Sequence, residues 1–395
     1  MIREYEDSPL VADAWLAFGE YYFARGALEQ ALKSYEIAAS DKRSKAYGFA
    51  LYKQAWCYYN LGDWEKSLKK FQATVFYSQM ADELSGENKI SLAREAEKDY
   101  VKTYAHVGNA SRAKMVLMEI ANVDDCTNEK CLKLMEKLGD EWRVQGKFQD
   151  AASTYRQIIA LQPTSFRNAY FQSLLVDLAS RRGDKRQVIE EVRTLTKLYE
   201  KLSVQEKEGA LGKERKRIKS ALQEARRDAE NNIRKLAQTW NRESVKTKQK
   251  ETATQALDMY REYLKLFPKA KLAYELRFQM ADLFYRLEKF GEAAEAYKIT
   301  VLANPKGKHL VAAARDGIIA GEEHLRDLRL KKIKPTKQRR DIHPERIKLV
   351  EACDRYIQSV SGLDAKDIVK ISFKAAKIYY QHGHFEQALG RFDQI

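Results

Sequence analysis

The sequence predicts an all-α protein, a solenoid of about nine stacked antiparallel helix pairs. Three observations carry this. Gly (18) and Pro (6) are scarce in 395 residues, while Ala, Leu, Lys, Glu, Gln and Arg fill long tracts, which favours helix over strand and turn. Trp15, Phe18, Gly19, Tyr22, Gly26, Ala31, Tyr35 and Ala38 recur at an offset of 36 as Leu51, Gln54, Ala55, Tyr58, Gly62, Ser67, Phe71 and Thr74. A small residue before the turn, a Gly at the turn and a small residue five positions later describe two helices that cross closely.

The pairs follow in order. Those two sets are the first and second. A third runs through Val101, Tyr104, Gly108, Ala113, Leu117 and Ile120, and the fourth, the best fit, through Leu138, Gly139, Trp142, Gly146, Ala151, Tyr155, Ile158 and Pro163. The fifth holds Val176, Ala179, Gly183, Val188, Val192 and Leu195. Between Tyr199 and Ala256 the spacing fails. Long charged helices take over, with Ile218, Leu222, Ala225, Ala229, Ile233, Leu236 and Trp240 at three-to-four spacing. They read either as an elongated first helix or as a projecting hairpin. Ala256, Tyr260, Tyr263 and Pro268 mark the second helix of the sixth pair, and Met280, Ala281, Phe284, Ala293, Tyr297 and Pro305 the seventh. The eighth joins helices over 309–328 and 345–360 through KKIKPTKQRRDIHP, and Ala376, Tyr379, Gly383, Ala388 and Phe392 give the ninth. The expected division is an N-terminal array over 1–199, long basic helices over 200–250, and a C-terminal array over 251–395 that stops inside a helix and reads as part of something larger.

These positions resemble the tetratricopeptide repeat. The resemblance implies a right-handed superhelix whose first helices line a concave groove for peptide or protein partners, with no reaction attached to the fold. Carried over by position, the groove residues are Glu20 and Phe23 from the first pair and Phe49, Tyr52, Trp56, Tyr59 and Asn60 from the second. The third supplies Lys102 and His106, the fourth Asp140 and Arg143, the fifth Asp177 and Arg181, and the seventh Asp282, Tyr285 and Arg286. Six of the seventeen residues in GFALYKQAWCYYNLGDW (48–64) are aromatic. Leu51, Ala55 and Tyr58 form its packing face, whereas Phe49, Tyr52, Trp56 and Tyr59 form a second stripe, buried by neighbouring helices or free as binding anchors. Chaperone adaptors of this family place an Asn just after the small residue; Glu20, Trp56, Lys102, Asp140, Asp177 and Asp282 stand there, which argues against that clamp. The wording of the first eighty or so residues is similar to large tetratricopeptide proteins of the bacterial cell envelope, including those of gliding motility. That similarity implies a periplasmic or outer-membrane-associated assembly factor, with cytoplasmic location as the alternative.

Net charge is +15, and its excess is local. Residues 201–250 hold 15 Lys/Arg against 7 Asp/Glu and residues 326–348 hold 10 against 3, leaving 46 of each sign elsewhere. Lys213, Arg215, Lys216 and Arg217 in the first window, and Lys331, Lys332, Lys334, Arg339 and Arg340 in the second, are the candidate basic patches. They offer the alternative function, nucleic-acid or anionic-surface binding, although no aromatics interleave with them in sequence. Cys126 and Cys131 can bridge if the first lies in a loop and the second on the opening turn of a helix, but not if both are helical. His382 and His384 straddle a turn without further ligands, and no GxxxxGK[ST], GxGxxG, GxSxG or HExxH occurs. Neither an enzyme, a metal site nor a cofactor is expected. No run of 18 apolar residues predicts a membrane span.

Overall fold

A computed structural model describes residues 8, 10–85, 92–208, 213–330, 333–360, 362 and 364–393. It is helical throughout, and the helices group into two compact units, Met1–Gly183 and Asp184–Ile395.

Unit 1 holds α1 (Val11–Ala24), α2 (Leu28–Ala38), α3 (Tyr47–Asn60), α4 (Trp64–Ser85), α5 (Leu92–Val107), α6 (Ala110–Ala121), α7 (Glu129–Val144), α8 (Phe148–Leu161) and α9 (Asn168–Arg182). Successive helices pack from α1 to α5, α5 then meets α7, and α7 packs on α6 and α8. Unlike the first two pairs, α5 finds its principal partners in α4 and α7 rather than in α6.

The turns explain the tight hairpins. After α7, Gly146 takes φ +77°, a left-handed conformation that side chains resist, and Lys147 N donates to Trp142 O at 2.8 Å. Within the hairpin, a Cβ on Gly139 would lie 2.7 Å from Cε1 of Tyr155, so only glycine lets α7 and α8 approach this closely. Trp142, Tyr155, Leu138 and Met135 are fully buried around that crossing.

Between α6 and α7 the chain turns through Asn122, whose φ is +54°, and Cys126 bridges to Cys131 with a Cα–Cα distance of 5.1 Å. Cys126 lies in the turn and Cys131 is the third residue of α7, the loop-to-helix arrangement under which the sequence permits a bridge. Both sulfurs join the core. The adjacent Lys130 pairs with the buried Glu97 of α5 at 2.7 Å and donates to Ala121 O at 3.0 Å, tying three helices together.

Unit 2 holds α10 (Lys185–Glu208), α11 (Lys213–Thr247), α12 (Lys250–Leu266), α13 (Ala273–Arg286), α14 (Phe290–Ala303), α15 (Leu310–Asp327), α16 (Pro344–Ser359), α17 (Ala365–Gln381) and α18 (Phe385–Phe392). The 35-residue α11 pairs with α12 as an elongated first helix, and α10 packs on both. Its stripe of Ile218, Leu222, Ala229, Ile233, Leu236 and Trp240 is buried, while the Ala225 side chain lies outside the described residues. Polar ties fix the register: Tyr199 Oη donates to Leu222 O at 2.8 Å, and Tyr263 Oη to Glu230 at 3.0 Å. From α12 to α18 each helix packs on the next.

Candidate functional site: the first-helix face of unit 1

The aromatic stripe of α3 runs beside α5. Phe49, at its start, is 41% exposed. Tyr52 is half-buried and donates to Asp99 of α5 at 2.6 Å; burial holds the Asp99 carboxyl above its usual range, and the tyrosine bond partly offsets this. Trp56 packs edge-on to Tyr59 and Phe71, with centroids 5.1 and 5.7 Å away. The phenol of Tyr59 lies 3.2 Å from Nε2 of His106, and Trp64 stacks on the same imidazole at 4.0 Å. Burial, then the charge of Lys147, lowers the His106 pKa. Three of the four stripe rings are therefore shared between packing and solvent, and Asn60 is exposed beyond them.

Lys102 closes this cluster. Its ammonium lies 5.5 Å from the Trp56 ring and 5.3 Å from that of Tyr59; it makes no direct ion pair among the described residues, and its charge also favours the ionised Asp99 one turn back. The end of α5 beneath it is held by Trp142 Nε1 and Lys147 Nζ, which both donate to Ala105 O, at 3.1 and 2.6 Å. The orphan carbonyls of the helix terminus are thus satisfied by the next repeat.

The carboxylates at neighbouring groove positions have internal partners. Tyr35 donates to Glu20 at 2.8 Å, Tyr155 to Asp140 at 2.7 Å and, in unit 2, Tyr297 to Asp282 at 2.6 Å. Each pair is separated by 15 residues, and each carboxylate directly follows the small residue of its first helix. Burial and the carboxylate both raise these tyrosine pKa values. In the second repeat the same register carries Trp56 and Phe71, so an aromatic contact replaces the brace. This recurrence was present in the sequence and is what could have identified Tyr35, Tyr155 and Tyr297 as the carboxylates' partners.

The remaining predicted positions divide between the units. Glu20 also pairs with Lys53 at 2.9 Å, whose ammonium lies 5.5 Å from the Phe23 ring. Arg143 is 3.5 Å from Asp140, with its Nε buried and unpartnered. Asp177 pairs with Arg181 at 2.8 Å on α9. In unit 2, Tyr285 packs edge-on to Phe290 at 5.3 Å and Arg286 donates to Asn241. Among the basic candidates, Arg215, Lys216 and Arg217 are exposed at the start of α11, and Lys334, Arg339 and Arg340 in the α15–α16 connection. The Lys213 side chain and residues Lys331 and Lys332 lie outside the described residues. No group of three metal-ligating side chains occurs among the described residues.

Residues 49–75, which span the stripe and its turn, match the family model of the tetratricopeptide repeat. This chain carries a tetratricopeptide repeat. The other hairpins repeat its register around Gly19, Gly139 and Ala281. No curated protein matches. Solved structures that are similar include tetratricopeptide-like repeats of a kinesin light chain type from Podosopora anserina, at 14% identity over 49% of this chain and 97% of that one, with a TM-score of 0.28. The P58(IPK) tetratricopeptide domain shows 16% identity over 97% and 98%, with a TM-score of 0.23. A tetratricopeptide repeat protein from Parabacteroides merdae shows 10% identity over 96% and 98%, with a TM-score of 0.28.

Proposed function

We propose that this chain is a non-enzymatic scaffold that holds protein or peptide partners along the first-helix face of unit 1, within a bacterial cell-envelope assembly. One observation carries the binding reading: the Lys102 ammonium, which makes no direct ion pair among the described residues, is set over Trp56 and Tyr59 and close to the end of the α3 stripe. The neighbouring carboxylates at Glu20 and Asp140 are engaged internally, whereas Lys102 sits on the ring cluster and is placed to meet a partner's carboxylate. Rings with polar tips beside a lysine ammonium suit a peptide carrying a carboxylate near an apolar side chain.

The compartment reading is supported by the Cys126–Cys131 bridge, because such bonds persist in oxidising environments. No helix among the described residues is long and apolar enough to cross a membrane. The narrower association with gliding motility rests on the wording of the first eighty or so residues alone.

The test is a display selection of peptides on the immobilised full chain, followed by affinity measurements on Lys102→Glu and Phe49→Ser. Phe49 is exposed, so Phe49→Ser should keep the wild-type thermal midpoint. Lys102→Glu gives up the contact with Trp56 and Tyr59 and sets a carboxylate near Asp99, so affinities are compared at a temperature where circular dichroism shows all three proteins folded. Peptides should lose about tenfold or more in affinity for Lys102→Glu, equivalent to about 1.4 kcal/mol. Equal affinity for wild type and both variants would refute the site.

A further inference from the structure

We propose that the cavity enclosed by α14, α15 and α16 binds a small monocarboxylate with a narrow, unbranched apolar body. Two of its three walls are second helices, so it is not part of the first-helix face. It belongs to unit 2 and does not depend on the peptide-binding reading of unit 1.

The space follows from how the eighth pair is built. Its helices are not joined by a tight glycine turn like that at Gly146, and the connection between them is held elsewhere. The buried His382 accepts at its carbonyl from Arg340 N at 2.8 Å, and Nε2 of His384 lies 2.8 Å from Arg340 O. Gly383, at φ +76°, sits so close that an added Cβ would lie 2.5 Å from Gln338 O. The α15–α16 connection is thereby pinned across 44 residues of sequence to the α17–α18 turn. His343 then caps α16, accepting from Glu345 N at 3.2 Å, with Pro344 as the first helical residue. The start of α16 is thus placed by a turn two helices on. Side-chain size does the rest: α7 meets its neighbours with Leu134, Met135, Leu138 and Trp142, whereas α15 offers Ala313, Ala314, Gly317 and Gly321. A cavity of about 260 Å³ remains, close to the lower end for small-molecule sites, roughly 300 Å³.

The charged groups on its walls are mostly paired with one another. Lys298 of α14 meets Glu295 at 3.1 Å, and Lys348 of α16 meets Glu345 at 2.7 Å. The other oxygen of Glu345 lies 3.5 Å from Nε2 of His324. That imidazole closes one end by lying on Gly291, where an added Cβ would be 2.9 Å from Cε1. The bond to Glu345 first, and the charges of Glu295 and Glu351 besides, raise the Lys348 pKa, so acids of both walls act on this lysine. Arg355 differs from the other cations. It is half-buried, lines the cavity and makes no direct ion pair among the described residues.

A guanidinium presents parallel N–H donors that match the two oxygens of a carboxylate, and a half-buried one gains more from such a partner than an exposed one does. Arg355 is placed to hold that group. The body of the ligand then lies against Val301, Ala313, Ala314 and Ala352, which offer methyl groups and no hydrogen-bonding side chain. Small residues on the floor leave a narrow space, which suits an unbranched chain better than a ring. The lining carboxylates Glu295, Glu345 and Glu351 oppose a dianion such as a phosphate monoester, so a single negative charge fits best. An amine would face Lys298, Lys348 and Arg355 instead.

The test is a ligand-observed NMR titration of the full chain with octanoate, against 1-octanol, octylamine and octyl phosphate. Saturable binding of octanoate, tighter than that of the other three, is expected. Arg355→Gln should weaken it by about tenfold or more, the loss of one charge-assisted hydrogen bond. Ala294→Leu, on the α14 wall, should abolish it by filling the space. Both comparisons are made where circular dichroism shows the variants folded. Lys42→Gln/Lys45→Gln, on unit 1, should leave octanoate binding unchanged. No saturable binding of octanoate, equal binding of octanol, octylamine or octyl phosphate, binding that survives both unit 2 variants, or the same loss in the unit 1 control would each overturn the proposal.

Discussion

Substituting Gly139 by Ala places a methyl group 2.7 Å from Cε1 and 3.0 Å from Cζ of Tyr155. The ring cannot easily retreat, because it is fully buried and its hydroxyl is held by Asp140 at 2.7 Å. Overpacking a core contact costs about 1–3 kcal/mol. Breaking the charge-assisted bond to let the ring move costs a further 1.5 kcal/mol or so, since Asp140 is part-exposed and regains water. Against this, Ala is better than Gly in a helix by about 1 kcal/mol. The net expectation is destabilisation by about 2–3 kcal/mol. In a Tyr155→Ala background the obstruction is gone, and the same substitution should become stabilising by up to about 1 kcal/mol. The cycle therefore predicts a coupling near 3 kcal/mol, at the upper end for residues in contact. Hydrogen exchange resolved on peptides spanning 129–161 measures it locally, which avoids assuming that the two units unfold together. A neutral or stabilising Gly139→Ala in the wild-type background would refute the close-crossing explanation of the hairpin.

Other perturbations address separate parts of the chain. Burial raises the Asp282 pKa above 3.8 despite the bond from Tyr297, so the folded state holds this proton more tightly than the unfolded chain. The group's contribution to stability is thus gained as pH falls through the folded value towards 3.8 and is a constant penalty above it. Asp282→Asn, which keeps an acceptor for Tyr297, should match or exceed wild-type stability at neutral pH and lose that advantage on acidification; a lower midpoint at neutral pH would contradict this. Reducing Cys126–Cys131 should lower unit 1 stability by about 2 kcal/mol in denaturant titrations, the closure term for so small a ring, and an unchanged midpoint would show that the bridge constrains nothing. Gly383→Ala combines a strained φ of +76° with a collision at Gln338 O, so trypsin should cut after Lys337, Arg339 and Arg340 faster than in wild type. Unchanged cleavage would mean that the connection is not held by that turn.

Much of the fold was legible because its determinants are local and periodic. Gly139, Gly146, Ala151 and Tyr155 recur at fixed intervals, and steric demands at each position admit few residue types. The elongated α11 was visible as a helix, but its choice between hairpin and first helix depended on α12, whose contacts lie 19 to 33 residues away through Tyr260 and Tyr263. At the candidate site, one helix alone could not separate packing from binding: Tyr52 and Tyr59 are tied down by Asp99 and His106, both 47 residues distant. The carboxylates at 20, 140 and 282 look solvated on a helical wheel, and only the tyrosine one helix on reveals them as braces. The anchoring of the basic connection by His382 and His384 was equally hidden, since it spans the whole of α16 and α17.

The scaffold reading turns on where a partner sits. Hydrogen exchange of the full chain, with and without a peptide selected by display, locates it directly. Protection confined to α3, α5 and α7, and lost with Lys102→Glu, is the expected result. Protection falling elsewhere, or surviving that substitution, would contradict the first-helix face of unit 1 as the binding surface.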